Sequence, residues 1–195
     1  MDHYFIYNPN EKHKLRNIEF SLLGKNINLT TDSGVFSNKE IDKGTYIFIK
    51  FLVNLNLKGK VLDLGAGYGA IGISLLLFNK DINVDFSDVN QKCIELVEKN
   101  LKNYDLNGNY FLSDGYTNIY GSYDFILFNP PISIGKEKIY QIYSDTKKHL
   151  NHNGKFYLVI RKDKGALSHM QYLSSLFSKV SVIYKEKGYF VVECL

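Results

Sequence analysis

Val61-Leu-Asp-Leu-Gly-Ala-Gly-Tyr-Gly-Ala-Ile-Gly72 is the stretch on which the fold of this chain turns. Residues 60–64 fit a short buried strand, and the apolar run Ile71 to Phe78 fits the start of a buried helix. Between them lie Gly65, Gly67 and Gly69, residues without a Cβ that let a backbone turn sharply and let a ligand lie against it. Asp63 stands near the carboxyl end of the strand, where open α/β sheets bind nucleotide-like ligands.

Outward from that turn, strand and helix signals alternate. Strands are expected at 60–64, 82–87, 109–113, 123–128 and 155–161, and helices at 69–79, 90–104, 136–150 and 165–178. The strands are short apolar runs without clean alternation, the pattern of a parallel sheet covered on both faces. Lys179–Tyr184 and Tyr189–Glu193 flank Lys185-Glu-Lys-Gly188, which reads as an antiparallel hairpin at the end of the chain. The fold class is therefore α/β: a doubly wound, mostly parallel, seven-stranded sheet with a C-terminal antiparallel hairpin.

Residues 1–37 differ in character and read as an N-terminal extension packed on a single globular unit, 38–195. His3-Tyr-Phe-Ile-Tyr7 fits a short strand, and Glu19-Phe-Ser-Leu and Asn26-Ile-Asn-Leu fit a small β-hairpin around Gly24-Lys25. Ser37 and Glu40 have the spacing of a capping box, so a helix is expected from Ser37. Ile41, Thr45, Phe48, Ile49 and Leu52 then recur at helical spacing. No internal repeat or interdomain linker interrupts the pattern.

Composition narrows the class. The 195 residues, 45% hydrophobic and 23% charged, suit one globular unit with a sizeable core. Cys93 and Cys194 lie far apart with no ligand spacing, which argues against a disulfide framework or a metal site. His149, His152 and His169 show no ligand spacing either. The opening Met1-Asp-His-Tyr-Phe-Ile-Tyr7 does not read as a secretory signal, and the longest apolar run is too short to cross a bilayer. A cytoplasmic location without a membrane partner is expected. The net charge of +4 tolerates a polyanionic partner without demanding one. The sequence leaves the oligomeric state open.

The glycine turn admits two cofactor readings. Gly67-Tyr-Gly69-Ala-Ile-Gly72 is a literal G-x-G-x-x-G, and Asp88 follows about 20 residues on, as a dinucleotide fingerprint asks. The match starts late, however, because the strand stops at Leu64 and Gly65 already opens the turn. Asp63, just ahead of the glycines, would repel a pyrophosphate but suits a cationic amino acid moiety. S-adenosylmethionine is favoured over NAD on that ground. Asp88 closes the next strand, placed for ribose hydroxyls, and Asp114 closes the one after, either meeting an adenine amine or serving as an ordinary turn acid.

The second informative segment is Phe128-Asn-Pro-Pro-Ile132, which ends an apolar strand at the same edge. Proline fixes φ and removes a donor, so the carbonyls of Asn129-Pro130-Pro131 are held in a set direction. The Asn129 side-chain oxygen and the Pro130 carbonyl can both accept from one NH₂ group. Two fixed acceptors would orient the lone pair of a planar nitrogen and stabilise charge growing on it.

On these residues the chain resembles class I S-adenosylmethionine-dependent methyltransferases, which have a Rossmann-like fold. Asp63-Leu-Gly-Ala-Gly-Tyr-Gly69 looks like their motif I. The resemblance implies cofactor contacts from Asp63, Gly65, Ala66, Gly67, Asp88, Asp114 and Asn129, and chemistry at Asn129, Pro130 and Pro131. Asn-Pro-Pro resembles the motif of enzymes acting on adenine N6, glutamine N5 or guanine N2. Ile132 in the fourth place, with Gly34-Val-Phe-Ser37 upstream, is closer to the small-domain ribosomal RNA guanine-N2 group. The expected activity is therefore methyl transfer to guanine N2, with ribosomal RNA or a ribosomal subunit precursor as partner. Glutamine-N5 and adenine-N6 methylation are the enzymatic alternatives, and a cofactor-binding assembly factor the non-enzymatic one.

With Ile132 in place of an aromatic, Phe36 is the candidate to cover the base, against its alternative as a core phenylalanine. Basic residues follow the Asn-Pro-Pro turn: Lys136, Lys138, Lys147 and Lys148, then Arg161, Lys162 and Lys164. Lys147 and Lys148 read as a solvated helix face. Arg161 and Lys162, just past the fifth strand, are candidates to hold RNA phosphates.

Overall fold

The computed structural model describes residues 14–195. The strand expected at His3–Tyr7 lies outside them. Two strands, β1 (Leu15–Leu22) and β2 (Lys25–Asp32), form an antiparallel hairpin with Leu22 opposite Lys25. Helix α1 (Lys43–Leu52) leads to the sheet strands β3 (Gly59–Leu64), β4 (Ile82–Asp88), β5 (Asn109–Leu112), β6 (Tyr123–Phe128) and β7 (Leu150–Arg161). Helices α2 (Ala70–Phe78), α3 (Gln91–Asn103) and α4 (Lys136–Thr146) follow β3, β4 and β6, while a loop joins β5 to β6. After α5 (Ala166–Leu176), β8 (Val180–Glu186) and β9 (Tyr189–Cys194) close the chain as a hairpin.

The seven strands run in the order β5-β4-β3-β6-β7-β9-β8. β3 through β7 are parallel, and β9 is antiparallel to both β7 and β8. The order reverses beside β3, which has β4 on one side and β6 on the other. That switch point leaves a crevice at the carboxyl ends of β3 and β6, the standard ligand position of an open α/β sheet. This is the Rossmann-like methyltransferase architecture.

Strand periodicity sorts the core into two layers. Val61, Leu127, Tyr157 and Val159 face one way and pack with residues of α1, α2 and α3. Leu62, Ile126, Phe128, Phe156 and Leu158 face the other way and pack with α4 and α5. Adjacent apolar residues thus serve opposite layers, which is why the strands read as continuous apolar runs. The β1–β2 hairpin buries Ile18, Leu22, Ile27 and Leu29 in the α1–α3 layer.

Three expectations are corrected. The helix expected from Ser37 begins at Lys43 instead. Ser37 has φ +56, in the left-handed region, whereas an N-cap residue has extended backbone. Asp42 is the cap, its carboxylate accepting the Thr45 N–H at 2.8 Å. The helix expected at 136–150 stops at Thr146, followed by a 3-10 turn over Lys147–His149. β7 begins at Leu150 rather than 155, with a register irregularity against β6 between Tyr123 and Phe125.

Candidate active site

The glycine turn sits at the carboxyl end of β3. Gly65, Gly67 and Gly69 have φ of +66, +58 and +86, so each occupies a conformation that a side chain disfavours. Gly69 is the cap residue of α2. A Cβ on Gly67 would meet nothing within 4 Å, so its Cα faces open space. A Cβ on Gly72 would instead collide with the Phe86 ring and come 2.9 Å from Val84 Cγ1. The first glycine opens the crevice, and the last lets α2 pack on the sheet.

Asp63 lies beneath this turn. It is fully buried, and its Oδ2 accepts the Gly72 N–H at 2.8 Å while Oδ1 finds no partner. Burial pushes its carboxyl up to about 7, an effect that the Gly72 hydrogen bond offsets in part and the Asp88 charge reinforces. Asp88, at the end of β4, accepts the Gly67 N–H at 2.9 Å and the Asn90 N–H at 2.9 Å. It therefore fixes the glycine turn from the neighbouring strand. The Ala66 N–H donates to the Ser87 carbonyl at 2.9 Å, tying the same two strand ends. Asp114 follows β5, next to Asp88 through the Ser113 N–H to Asp88 carbonyl bond. Its carboxylate is half exposed and pairs with Lys138 of α4 at 2.8 Å. Asp63 is thus buried under the turn instead of facing a cationic group of the cofactor, and the fit to S-adenosylmethionine rests on the open cradle over Gly67 with Asp88 and Asp114 at the ends of the next two strands.

Asn129 extends β6 beside this turn, with Pro130 buried behind it. Its Nδ2 donates to Thr45 Oγ1 at 2.8 Å and to Asp42 Oδ2 at 3.3 Å. Thr45 in turn donates from Oγ1 to Asp42 Oδ2 at 3.2 Å. This fixes the polarity of the chain of bonds. The Asp42 carboxylate only accepts, so the Thr45 proton points to it and the Thr45 lone pair points to Asn129. The amide must therefore turn its NH₂ toward α1, which leaves Oδ1 facing away as an acceptor.

Asp42 and Thr45 were invisible to sequence reasoning as site residues. The D-x-x-T spacing was a usable signal for a helix cap, but nothing local tied it to Asn129, more than 80 positions away. Asp42 also lies near Tyr68 of the glycine turn: burial raises that phenol well above its ordinary range, and the Asp42 charge adds to the effect. Asn100 of α3 was missed as well. Its fully buried amide accepts the Thr30 N–H at 2.8 Å and donates to the carbonyls of Thr30 and Tyr68 at 2.8 and 2.9 Å. One side chain thus ties the N-terminal hairpin to the glycine turn.

Phe36 is 59% exposed, and Val35 beside it enters the core instead. The core alternative for Phe36 is therefore overturned. Ile132 is 54% exposed, on the 3-10 turn that leaves Asn129-Pro-Pro. Arg161 and Lys162 are exposed at the end of β7, and Arg161 Nε pairs with Asp163 at 2.7 Å. Lys147 and Lys148 are engaged at the far end of α4, by the Leu176 carbonyl and by Asp145. His169 is a core residue, its Nδ1 2.9 Å from the Tyr143 hydroxyl. Among the described residues, no three His, Cys, Asp or Glu side chains gather as a metal ligand set, and no helix is long and apolar enough to cross a membrane.

Residues 26–193 match the model of the methyltransferase small domain. The chain belongs to that family. It is 36% identical over 98% of its length to protein YbxB of Bacillus subtilis, covering 97% of that protein, whose own activity is uncharacterized. It is 32% identical over 69% of its length to ribosomal RNA small subunit methyltransferase C of Haemophilus influenzae. The match spans 42% of that enzyme, so this small-domain chain corresponds to less than half of it. Among solved structures, the T. thermophilus 16S rRNA N2 G1207 methyltransferase, in complex with AdoMet and guanosine, superposes with a TM-score of 0.83. That superposition covers 96% of this chain and 52% of the other at 23% identity, so it shows a shared fold.

Proposed function

We propose that this small-domain methyltransferase transfers a methyl group from S-adenosylmethionine to the exocyclic N2 of a guanine in ribosomal RNA. One observation carries the reading: at the end of β6, the strand next to β3 and its glycine turn, Thr45 and Asp42 hold the Asn129 NH₂ and leave its oxygen as an acceptor directed away from α1. The names of the relatives, a ribosomal RNA methyltransferase and a guanine-N2 enzyme holding guanosine, supply the substrate class. A ribosomal RNA substrate goes with a cytoplasmic location.

Bound S-adenosylmethionine supplies an electrophilic methyl on a sulfonium. Gly65, Ala66 and Gly67 would hold its methionine end, Asp88 its ribose and Asp114 its adenine. Asp63 acts through the turn, since it is buried beneath it. Phe36 and Ile132, both exposed on loops running into Asp42 and out of Asn129, would sandwich the guanine.

The chain's own residues then do two things. Asn129 Oδ1 and the Pro130 carbonyl accept from the guanine NH₂ and turn its lone pair toward the methyl. The same two acceptors would stabilise the positive charge that develops on that nitrogen as it takes the methyl group. The surplus proton then leaves to water. Pro131 ends the strand and keeps that carbonyl in place.

Label transfer from methyl-labelled S-adenosylmethionine to naked ribosomal RNA, isolated small subunits and assembled ribosomes, followed by mapping, tests the assignment. Label on a guanine N2 is expected. Label on a protein glutamine or an adenine, or tight cofactor binding with no transfer to any of these, would overturn it. Asn129→Ala is expected to lower kcat by about two orders of magnitude with affinity for S-adenosylhomocysteine retained.

A further inference from the structure

The carboxyl edge of the sheet carries one more feature, beyond the cofactor and the amine. A cavity of about 490 Å³ opens where β7 ends and the β8–β9 hairpin turns, and α1 contributes to its wall. Lys43, Arg161, Lys162 and Lys187 line it with one lining carboxylate, Asp163, that Arg161 engages through Nε, and Lys187 lies 3.9 Å from Glu186 beside the cavity. Tyr189 lines it too. Four cations against two carboxylates, Asp163 and Glu186, leave a net positive charge and mutual repulsion that an anionic occupant would relieve.

Its place relative to the chemistry is informative. Along the edge, in strand order, come Asp88 on β4, the glycine turn on β3, Asn129 on β6, Arg161 on β7 and Tyr189 on β9. Asn129 thus stands between the cofactor crevice and the cavity. β9 lies two strands from β6, about 10 Å at the usual strand spacing, the scale of one nucleotide. Tyr189 also packs on the helix turn that carries Thr45. Its ring lies against Gly44 in the first turn of α1, where a Cβ would come within 2.8 Å of Cε1. Burial first, and then the charge of Asp42, raise its phenol.

We propose that this cavity holds a backbone phosphate of the RNA strand carrying the target guanine, with Lys43 and Lys187 as its contacts alongside Arg161 and Lys162. The inference rests on the RNA reading above. An acidic peptide offers carboxylates but no base of fixed length to span from the cavity to Asn129. A phosphate held here while the base lies at Asn129 fits a nucleotide extruded from its neighbours, as base-modifying enzymes require.

The test compares single-stranded RNA binding by fluorescence anisotropy across a salt series for three proteins. They are the wild type, a Lys43→Gln/Lys187→Asn double variant, and a Lys147→Gln/Lys148→Gln double variant whose changes lie at the far end of α4. Asn suits position 187, where φ is +46, and both changed positions are exposed, so folding is preserved. Weakened neutralisation of this one phosphate is expected to lower the log–log salt slope by up to about 0.7 and weaken binding several-fold, with S-adenosylhomocysteine affinity by calorimetry unchanged. The far-end variant should keep the wild-type slope. An equal slope in wild type and the Lys43/Lys187 variant, an equal loss in both variants, or no RNA binding by the wild type would each overturn the proposal. Slope loss without methyl transfer to any RNA would sink the proposed activity and leave the phosphate site standing. Intact transfer with an unchanged slope would do the reverse.

Discussion

Asn129 Nδ2 lies 2.8 Å from Thr45 Oγ1, a bond between the loop that ends β6 and the first turn of α1. An asparagine amide has a donor end and an acceptor end of nearly equal shape, so something must select which faces a substrate. Thr45 makes the selection because its own proton is drawn to Asp42, which also caps the helix.

Thr45→Val removes the hydroxyl while keeping the shape. We expect kcat to fall about five- to tenfold, the size of one lost orienting hydrogen bond, with affinity for S-adenosylhomocysteine unchanged. Thr45→Ser keeps the hydroxyl and should restore turnover. Equal turnover in the Val and Ser variants would remove the hydroxyl from the mechanism.

Gly67 and Gly72 stand in one motif but should respond oppositely to alanine. Gly67→Ala strains a backbone at φ +58 by about 1–2 kcal/mol and puts a methyl into the open crevice. Its main effect should be at least a tenfold loss of S-adenosylhomocysteine affinity by calorimetry. Gly72→Ala drives a methyl into Phe86 and Val84, an overpacking that costs about 1–3 kcal/mol. Urea unfolding should show the larger loss in Gly72→Ala, and the reverse order would contradict this division of labour.

Asp63 makes stability fall with rising pH. Its carboxyl is raised from 3.8 to about 7 in the folded protein, so between those values the folded state keeps a proton that the unfolded chain has released. Stability is then highest below the lower value, declines across the window and levels off above it, by at most about 4 kcal/mol. Asp63→Asn keeps an acceptor for the Gly72 N–H and removes the proton. Urea midpoints of the ligand-free protein across the window should slope for the wild type and flatten for this variant.

Asn100 satisfies three backbone groups from one buried side chain. Asn100→Ala leaves the Thr30 N–H and the Thr30 and Tyr68 carbonyls to find water or go unpaired. A loss of about 2–4 kcal/mol is expected in chemical unfolding. Because Tyr68 belongs to the glycine turn, cofactor affinity in the folded fraction should drop as well. Unchanged affinity would show that the hairpin supports the fold without supporting the turn.

How much of this was legible depends on the range of the interactions involved. The strand and helix alternation, the glycine turn and the Asn-Pro-Pro strand end were readable because each is set by neighbours within a few residues. The helix start was misread because Ser37-x-x-Glu40 and Asp42-x-x-Thr45 are equally good local caps. The backbone at Ser37, held at φ +56 in the loop that leads from buried Val35 toward α1, decides between them. Phe36 and Val35 are adjacent apolar residues, and only the packing of that loop settles which one is buried.

The sequence by itself determined a doubly wound sheet, a glycine turn after its first strand and an acceptor-rich turn after its fourth, since periodicity, backbone freedom and proline geometry are local properties. Tertiary structure decided what those turns are made to do. It brought the cap of α1 against Asn129 and so fixed which end of the amide faces α1 and which is left as a free acceptor. It placed Asp63 beneath the turn rather than in the crevice. It also gathered Lys43, Arg161, Lys162 and Lys187 from three distant parts of the chain around one cavity. Hydrogen-bond polarity and the clustering of charge depend on distances through space, which no spacing along the chain encodes.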